Sequence, residues 1–122
     1  MGRQMRRGYK AMMQQLLAAL LLVALSSVGC ATYRGARLYS SGTKALDRGD
    51  TARAIADLER AAELVPHASE IQNNLGLAYA AEGRHREALL AFRRAVALDC
   101  GNDAAWRNLR AAEAREVGGT EP

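Results

Sequence analysis

The stretch that decides the fold is Glu70-Ile-Gln-Asn-Asn-Leu-Gly-Leu-Ala-Tyr-Ala-Ala-Glu82, which is followed after a short break by Arg86-Glu-Ala-Leu-Leu-Ala-Phe-Arg-Arg-Ala-Val-Ala-Leu98. Apolar residues recur at helical spacing in both halves, so each half predicts an amphipathic helix of about three turns. Gly83 lies between the halves, and a Gly just past a periodic run is a helix stop signal. The stretch therefore predicts an antiparallel helical hairpin.

The same kinds of residue recur with a period of 34 positions, as Gly42 does with Gly76 and Gly49 with Gly83. The further matched pairs are Ala54 with Ala88, Leu58 with Phe92, Ala61 with Ala95 and Leu64 with Leu98. A period of this length is typical of stacked copies of one small unit. The period therefore favours a binding scaffold over an enzyme with a single active-site pocket.

The second copy carries Leu75-Gly76-x-x-Tyr79, then Ala88-x-x-x-Phe92, then Ala95, and this pattern resembles the tetratricopeptide (TPR) repeat. The first copy keeps three small residues, Gly42, Ala54 and Ala61, and has Leu58 at the position of Phe92. It has Ser41 where the family has Leu, and Ala45 where the family has an aromatic. A third copy begins after Asn102, where Trp106 occupies the aromatic position that opens a repeat and Arg110 replaces the Gly.

The resemblance implies an all-α fold, a short α-solenoid of two TPR-like helical hairpins and a C-terminal capping helix. We place the hairpins at residues 35–68 and 69–102, the capping helix at 103–116 and a disordered tail at 117–122. The residues predicted to pack the repeats together are Gly42, Ala54, Leu58, Leu75, Gly76, Tyr79, Ala88, Phe92, Ala95 and Trp106.

The chain begins with a basic head, which is followed by an apolar stretch over residues 16–28. The stretch is too short to span a hydrocarbon core of about 30 Å comfortably, and this arrangement is typical of a cleaved secretory signal. Ser26-Ser27-Val28-Gly29-Cys30 resembles the bacterial lipobox. The resemblance implies a signal peptide over residues 1–29, acylation of Cys30, such as with palmitate, and a tether over residues 30–34. Ala31 after the cysteine favours the outer membrane, facing the periplasm.

Two alternatives to a signal peptide stay open at this point. The apolar stretch is also compatible with a single membrane anchor, in which case the repeats face the cytoplasm and bind a cytosolic partner. It is also compatible with a buried helix.

The positive charge of the chain belongs to the predicted signal. The sequence has 17 basic and 13 acidic residues, and all the acidic residues follow Cys30. Four basic residues precede it, namely Arg3, Arg6, Arg7 and Lys10. The mature chain is therefore formally neutral, and a nucleic-acid partner loses its support from composition.

We predict no catalytic residue, cofactor or metal. No nucleophile elbow, phosphate loop or HExxH motif occurs, and neither His67 nor His85 has ligands at metal-site spacing. If Cys30 is acylated, Cys100 has no partner for an intramolecular disulfide. Cys100 is then either shielded in its turn or free to link two chains into a dimer.

TPR-like stacks bind peptides or helices of other proteins on the concave face, which the first helix of each hairpin lines. The resemblance therefore implies a protein or peptide partner, together with a membrane reached through the lipid on Cys30. The candidate peptide-binding residues are Tyr39, Thr43, Asn73, Asn74, Leu77 and Arg107. Asn73 and Asn74 are candidate readers of peptide backbone, because an amide both donates and accepts hydrogen bonds. The alternative is that Asn74 only bonds within its own stack.

Overall fold

A computed structural model describes the backbone of residues 2–118, but not the side chains of residues 1–7, 25–28 and 117. The chain forms five helices in this range: α1 Gly2–Asp47, α2 Thr51–Leu64, α3 Ser69–Ala81, α4 His85–Leu98 and α5 Asp103–Gly118. No strand occurs among the described residues. The predicted all-α repeat architecture is confirmed. The chain divides into two units, an N-terminal segment, Met1–Thr32, and a repeat domain, Tyr33–Pro122.

The N-terminal segment is helical throughout its described range, and its apolar side chains from Leu16 to Val23 are exposed. Its helix is the one element of the described chain that is long and apolar enough to cross a membrane, with a mean hydropathy of 2.0 in its most apolar window. A signal sequence satisfies the same criterion. The side chains of Ser26, Ser27 and Val28, on which the lipobox resemblance rests, lie outside the described residues.

The start of the first helix differs from the sequence prediction. The sequence places it near Gly35, whereas α1 begins at Gly2 and includes residues 30–34. The physical reason is that no proline interrupts α1, and each of its interior glycines, Gly8, Gly29, Gly35 and Gly42, costs the helix only about 1 kcal/mol relative to Ala. The predicted tether is therefore helical in this structure, with a rise of about 1.5 Å per residue.

Both hairpin turns have the same construction. Gly49 and Gly83 have φ values of 77° and 80°, in the left-handed region that favours glycine. In the second turn the Gly83 N–H donates to the Ala80 carbonyl at 3.1 Å, and the Arg84 N–H donates to the Tyr79 carbonyl at 2.9 Å. These bonds pair carbonyl groups that a helix end leaves without partners, so each glycine ends its helix and reverses the chain.

The two helices of each hairpin approach closely at a glycine. A Cβ atom at Gly42 would lie 2.7 Å from Leu58 Cγ, and one at Gly76 would lie 2.5 Å from Phe92 Cε1. The core around these contacts consists mainly of small and aliphatic side chains. Its buried members include Ala54, Leu58, Leu75, Ala78, Tyr79, Ala88, Phe92 and Ala95.

Polar contacts join the second helix of the first hairpin to the second hairpin. The Tyr79 hydroxyl donates to Glu59 Oε1 at 2.5 Å, and the Thr51 hydroxyl donates to Glu82. The Arg84 guanidinium stacks over the Tyr79 ring, 4.5 Å from its centroid. Burial and the hydrogen bond to Glu59 raise the pKa of Tyr79 to about 12.

Helix α5 covers one end of the stack with Ala105 and Leu109, which are buried, and it leaves Arg107 and Arg110 exposed. The Asn102 side chain begins the helix by accepting from the Ala105 N–H at 3.0 Å. The helix extends to Gly118, two residues beyond the predicted end. Of the predicted disordered tail, residues 119–122 lie outside the described residues.

Trp106, which was predicted to pack the repeats together, is not part of the buried core. Trp106 is 39% exposed, and its indole N–H donates to the Cys100 carbonyl at 3.0 Å. The ring therefore lies against the turn before α5. In the described chain no helix follows α5 to complete a third hairpin around it.

Candidate functional site

The first helices of successive repeats are joined by a pair of equivalent hydrogen bonds. The Asn74 amide donates to the Tyr39 hydroxyl at 3.0 Å, which joins α3 to α1. The Asn108 amide donates to Asn73 Oδ1 at 2.8 Å, which joins α5 to α3. In each pair the partners are 35 residues apart, one more than the repeat period of 34. Tyr39 and Asn73 therefore occupy the same position of successive repeats, and so do their partners Asn74 and Asn108. These bonds fix the spacing of the first helices of successive repeats.

These two hydrogen bonds, which we call the ladder, change the roles predicted for Asn73 and Asn74. Asn73 is only 8% exposed, and its carbonyl oxygen is already occupied by Asn108. Its predicted role as a reader of peptide backbone is therefore not supported, because its side chain is hydrogen-bonded to the neighbouring helix α5. Asn74 is half-buried and bonded to Tyr39, which agrees with the alternative that it bonds within its own stack.

Leu77 opens onto a cleft between α3 and α5, next to the ladder. The cleft has a volume of about 130 Å³, and Leu77 is 37% exposed. The other lining residues are Ala80, His85, Ala88, Phe92, Asn108, Ala111, Ala112 and Arg115. An engineered apolar cavity of about 150 Å³ binds benzene, so this volume accommodates one large apolar side chain.

The charge of this cleft is one-sided. Arg115 lines it, and no carboxylate of the described residues does. A cation at the edge of an apolar cleft attracts anionic groups, and a guanidinium binds a carboxylate through two parallel hydrogen bonds. The arrangement therefore suits an apolar side chain that lies close to a carboxylate.

The other predicted peptide contacts are not in this cleft. Thr43 donates to the carbonyl of Ser40 in its own helix at 3.1 Å. Arg107 lines a separate surface cleft with Cys100, Asp103, Trp106 and Arg110. The structure thus brings Leu77 together with residues that were not predicted to bind a peptide, and it leaves Arg107 apart from them.

Extending the 34-residue period from α3 into α5 would have identified some of the cleft residues that were not predicted. Asn108 lies 34 residues after Asn74, and Ala111 lies 34 residues after Leu77. Arg115 is four residues after Ala111 on α5, and the two therefore share a helix face. His85 gave no such signal, because it begins α4 and reaches the cleft only through the tight turn at Gly83.

Both cysteines, Cys30 and Cys100, are exposed and free. No cluster of three or more His, Cys, Asp or Glu side chains that could hold a metal ion occurs in the described part of the chain. The cleft at Leu77 contains one titratable side chain besides Arg115, namely His85. Its composition suits binding of a side chain better than acid–base chemistry.

Comparison with known proteins agrees with this architecture. The sequence pattern of the tetratricopeptide repeat matches residues 39–105, which is more than half of the chain. The chain belongs to the tetratricopeptide repeat family. No curated protein sequence matches it. TPR domains are scaffolds for protein–protein interaction, and proteins of this family are typically non-catalytic.

This TPR protein is similar in structure to the Sgt2 TPR domain from Aspergillus fumigatus. The two share 26% sequence identity, with a TM-score of 0.66. The match covers 69% of this chain and 56% of the Sgt2 domain, so the chain spans little more than half the length of that relative.

Proposed function

We propose that this TPR protein is a lipid-anchored adaptor of the bacterial cell envelope, which binds a protein or peptide partner in the cleft between α3 and α5 and assists assembly of an envelope complex. The observation that carries the binding role is the cleft at Leu77, an apolar recess on the face that the first repeat helices line. The hydrogen-bond ladder supports it, because the ladder holds α3 and α5 in place before a partner arrives.

The partner segment carries an apolar side chain next to an acidic one or to a terminal carboxylate. The volume of the cleft supports a single apolar anchor, and Arg115 supports the adjacent negative charge. Arg107 is the other arginine proposed from sequence, and it lies in a different cleft. We therefore assign no carboxylate clamp of several cations to this groove.

Anchoring rests on the sequence around Cys30. Small residues precede Cys30, its side chain is exposed, and the apolar stretch before it is exposed over Leu16–Val23. Several acyl chains on one cysteine anchor a protein stably, whereas a single chain gives only marginal binding. We place the repeat domain in the periplasm, at the outer membrane.

A second candidate keeps the N-terminal helix as a single-pass anchor, with the repeat domain in the cytoplasm. The observation that favours it is the length and hydropathy of the helix that contains the apolar stretch. Palmitate labelling separates the two candidates. The lipoprotein proposal expects the protein to be labelled and to run smaller than its precursor, and Cys30→Ala to be uncleaved and unlabelled. Unchanged size and processing in Cys30→Ala would favour the single-pass anchor or an ordinary signal peptidase.

The groove is tested by affinity purification from solubilised envelope. Leu77→Arg places a large cation in the cleft, and we expect it to lose a partner that the native chain retains. Leu90→Arg is the matched control, because Leu90 is an exposed leucine on α4 that does not line the cleft. Equal recovery of the same partner with both variants would contradict the assignment of the groove.

A further inference from the structure

A third cleft lies between α1 and α2, within the repeat domain, and three of its six lining residues are arginines. Its volume is about 350 Å³. The lining residues are Arg34, Arg37, Leu38, Ser41, Arg53 and Asp57. It shares no residue with the proposed peptide cleft at Leu77.

Positive charge in this cleft is only partly balanced. Asp57 is the one carboxylate among the described residues that line it. Asp57 Oδ2 already accepts from the Ser41 hydroxyl at 2.6 Å and lies 3.7 Å from Arg53 Nε. The guanidinium groups of Arg34 and Arg37 have no ion-pair or hydrogen-bond partner among the described residues. They lie three residues apart on one helix, where like charges repel each other.

Some arginines elsewhere in the repeat domain have a carboxylate partner. Arg60 pairs with Glu63 at 2.8 Å and Arg84 pairs with Glu87 at 3.1 Å. In the α1–α2 cleft, by contrast, the two unpaired guanidinium groups and the weakly paired one of Arg53 line the same concave surface. Guanidinium forks match the oxygen atoms of a phosphate group, and an anion there would relieve their mutual repulsion.

We propose that the cleft of Arg34, Arg37 and Arg53 binds the phosphate group of a small anion or of an anionic phospholipid. Arg34 lies four residues after Cys30 in the sequence, which supports a headgroup as the source. Basic side chains just after a membrane-attached segment are attracted to anionic lipid surfaces over a Debye length of about 10 Å. The headgroup source rests on the proposed membrane attachment, whereas binding of free phosphate does not.

The test uses the full chain in neutral detergent micelles, with the arginine Nε–Hε resonances followed by NMR. One arm adds inorganic phosphate, and the other adds phosphatidylglycerol to the micelles, with phosphatidylcholine as the neutral comparison. We expect saturable shifts of the Arg34, Arg37 and Arg53 resonances, which weaken as salt is raised. Shifts with phosphatidylglycerol alone identify a headgroup site, and shifts with both probes identify a site for phosphate from either source.

The variant Arg34→Gln/Arg37→Gln should bind either probe at least ten-fold more weakly than the native chain. Arg93→Gln/Arg94→Gln removes the same charge from α4 and should bind as the native chain does. If the first variant loses its helical circular dichroism, Arg37→Lys replaces it in the test. This variant keeps the charge but removes the paired N–H groups of one guanidinium, and it should weaken binding several-fold.

The proposal is overturned if neither probe gives saturable shifts, or if the two double variants bind equally. Repeating the phosphate arm on Cys30→Ala separates the two proposals. Phosphate binding by an unlipidated chain supports the cleft even where the lipoprotein assignment fails.

Discussion

Two glycines set how closely the hairpin helices approach. Gly42 and Gly76 lie 34 residues apart, and each lies against the large side chain of its partner helix, Leu58 or Phe92. The 34-residue period predicts both contacts, because a small residue opposite a large one is needed in every copy. Substitution at Gly76 therefore tests the repeat register directly.

We expect Gly76→Ala to destabilise the protein, although Ala normally favours a helix over Gly by about 1 kcal/mol. The added Cβ would lie 2.5 Å from the Phe92 ring, and overpacking costs roughly 1–3 kcal/mol. Gly76→Leu should cost more and unfold the stack. Gly118→Ala is the control, since nothing lies within 4 Å of its Cβ position. Thermal midpoints measure the effect, and an unchanged midpoint for Gly76→Leu would mean that the register is wrong.

The Tyr79 hydroxyl makes stability depend on pH in the alkaline range. Its pKa is raised from 10.0 to about 12 in the folded protein, so the folded state favours the neutral form. This contribution is complete below pH 10 and is lost as the pH rises towards 12. At pH 8 we expect Tyr79→Phe to unfold at a lower temperature than the native chain, and the difference to narrow between pH 10 and 12. Tyr33→Phe, at an exposed tyrosine, should show no such convergence. A constant difference across this range would contradict the assigned role of the hydroxyl.

Some side-chain contacts could be predicted from the sequence and others could not. The packing glycines and alanines follow from the period, because their role is the same in each copy. Trp106 has no such equivalent, since α5 lacks a second helix in the described chain and the ring lies on a turn instead. The position of Asn73 on its helix predicts an exposed side chain, but the Asn108 amide of α5 donates a hydrogen bond to Asn73 Oδ1. Contacts between repeats depend on how the repeats stack, which a single copy does not encode.

At the scale of the elements, the turns are the most predictable part of the fold. Both glycines with positive φ lie at the stop signals that the sequence contains. We expect Gly83→Ala to lower stability by about 1–2 kcal/mol, because an L-residue with a side chain is strained in the left-handed region. Gly83→Asn should cost less, since Asn tolerates that region better. Chemical denaturation measures both variants, and an equal cost for Ala and Asn would show that backbone conformation is not the cause.

The start of α1 was the least predictable boundary. A helix runs through the apolar stretch, the residues around Cys30 and the first repeat helix without a stop signal. The lipobox resemblance predicts a cleavage site in this range, but cleavage does not require the helix to end there. The predicted boundary between the signal peptide and the mature chain at Cys30 therefore need not coincide with the end of a helix.

At the scale of the whole molecule, the proposal joins a membrane anchor to a binding domain with almost no linker. Five helical residues, 30–34, rise only about 7 Å. We expect insertion of twenty Gly/Ser residues after Thr32, which gives a flexible reach of about 25 Å, to leave folding and anchoring intact but to impair recruitment of the partner in cells. The same insertion after Gly118 is the matched control and should be neutral. Normal recruitment with the long linker would show that proximity to the membrane is not required.

The most direct test of the groove is a photocrosslinking residue, benzoylphenylalanine, placed at Leu77 or at Leu90 in living cells. Both leucines are exposed, but only Leu77 lines the cleft between α3 and α5. We expect a discrete crosslinked partner from position 77 and none of the same mass from position 90. We also expect the product from position 77 to be lost when Ala111→Trp fills the cleft. Crosslinking of the same partner at both positions, or a product from position 77 that persists with Ala111→Trp, would contradict the assignment of the groove.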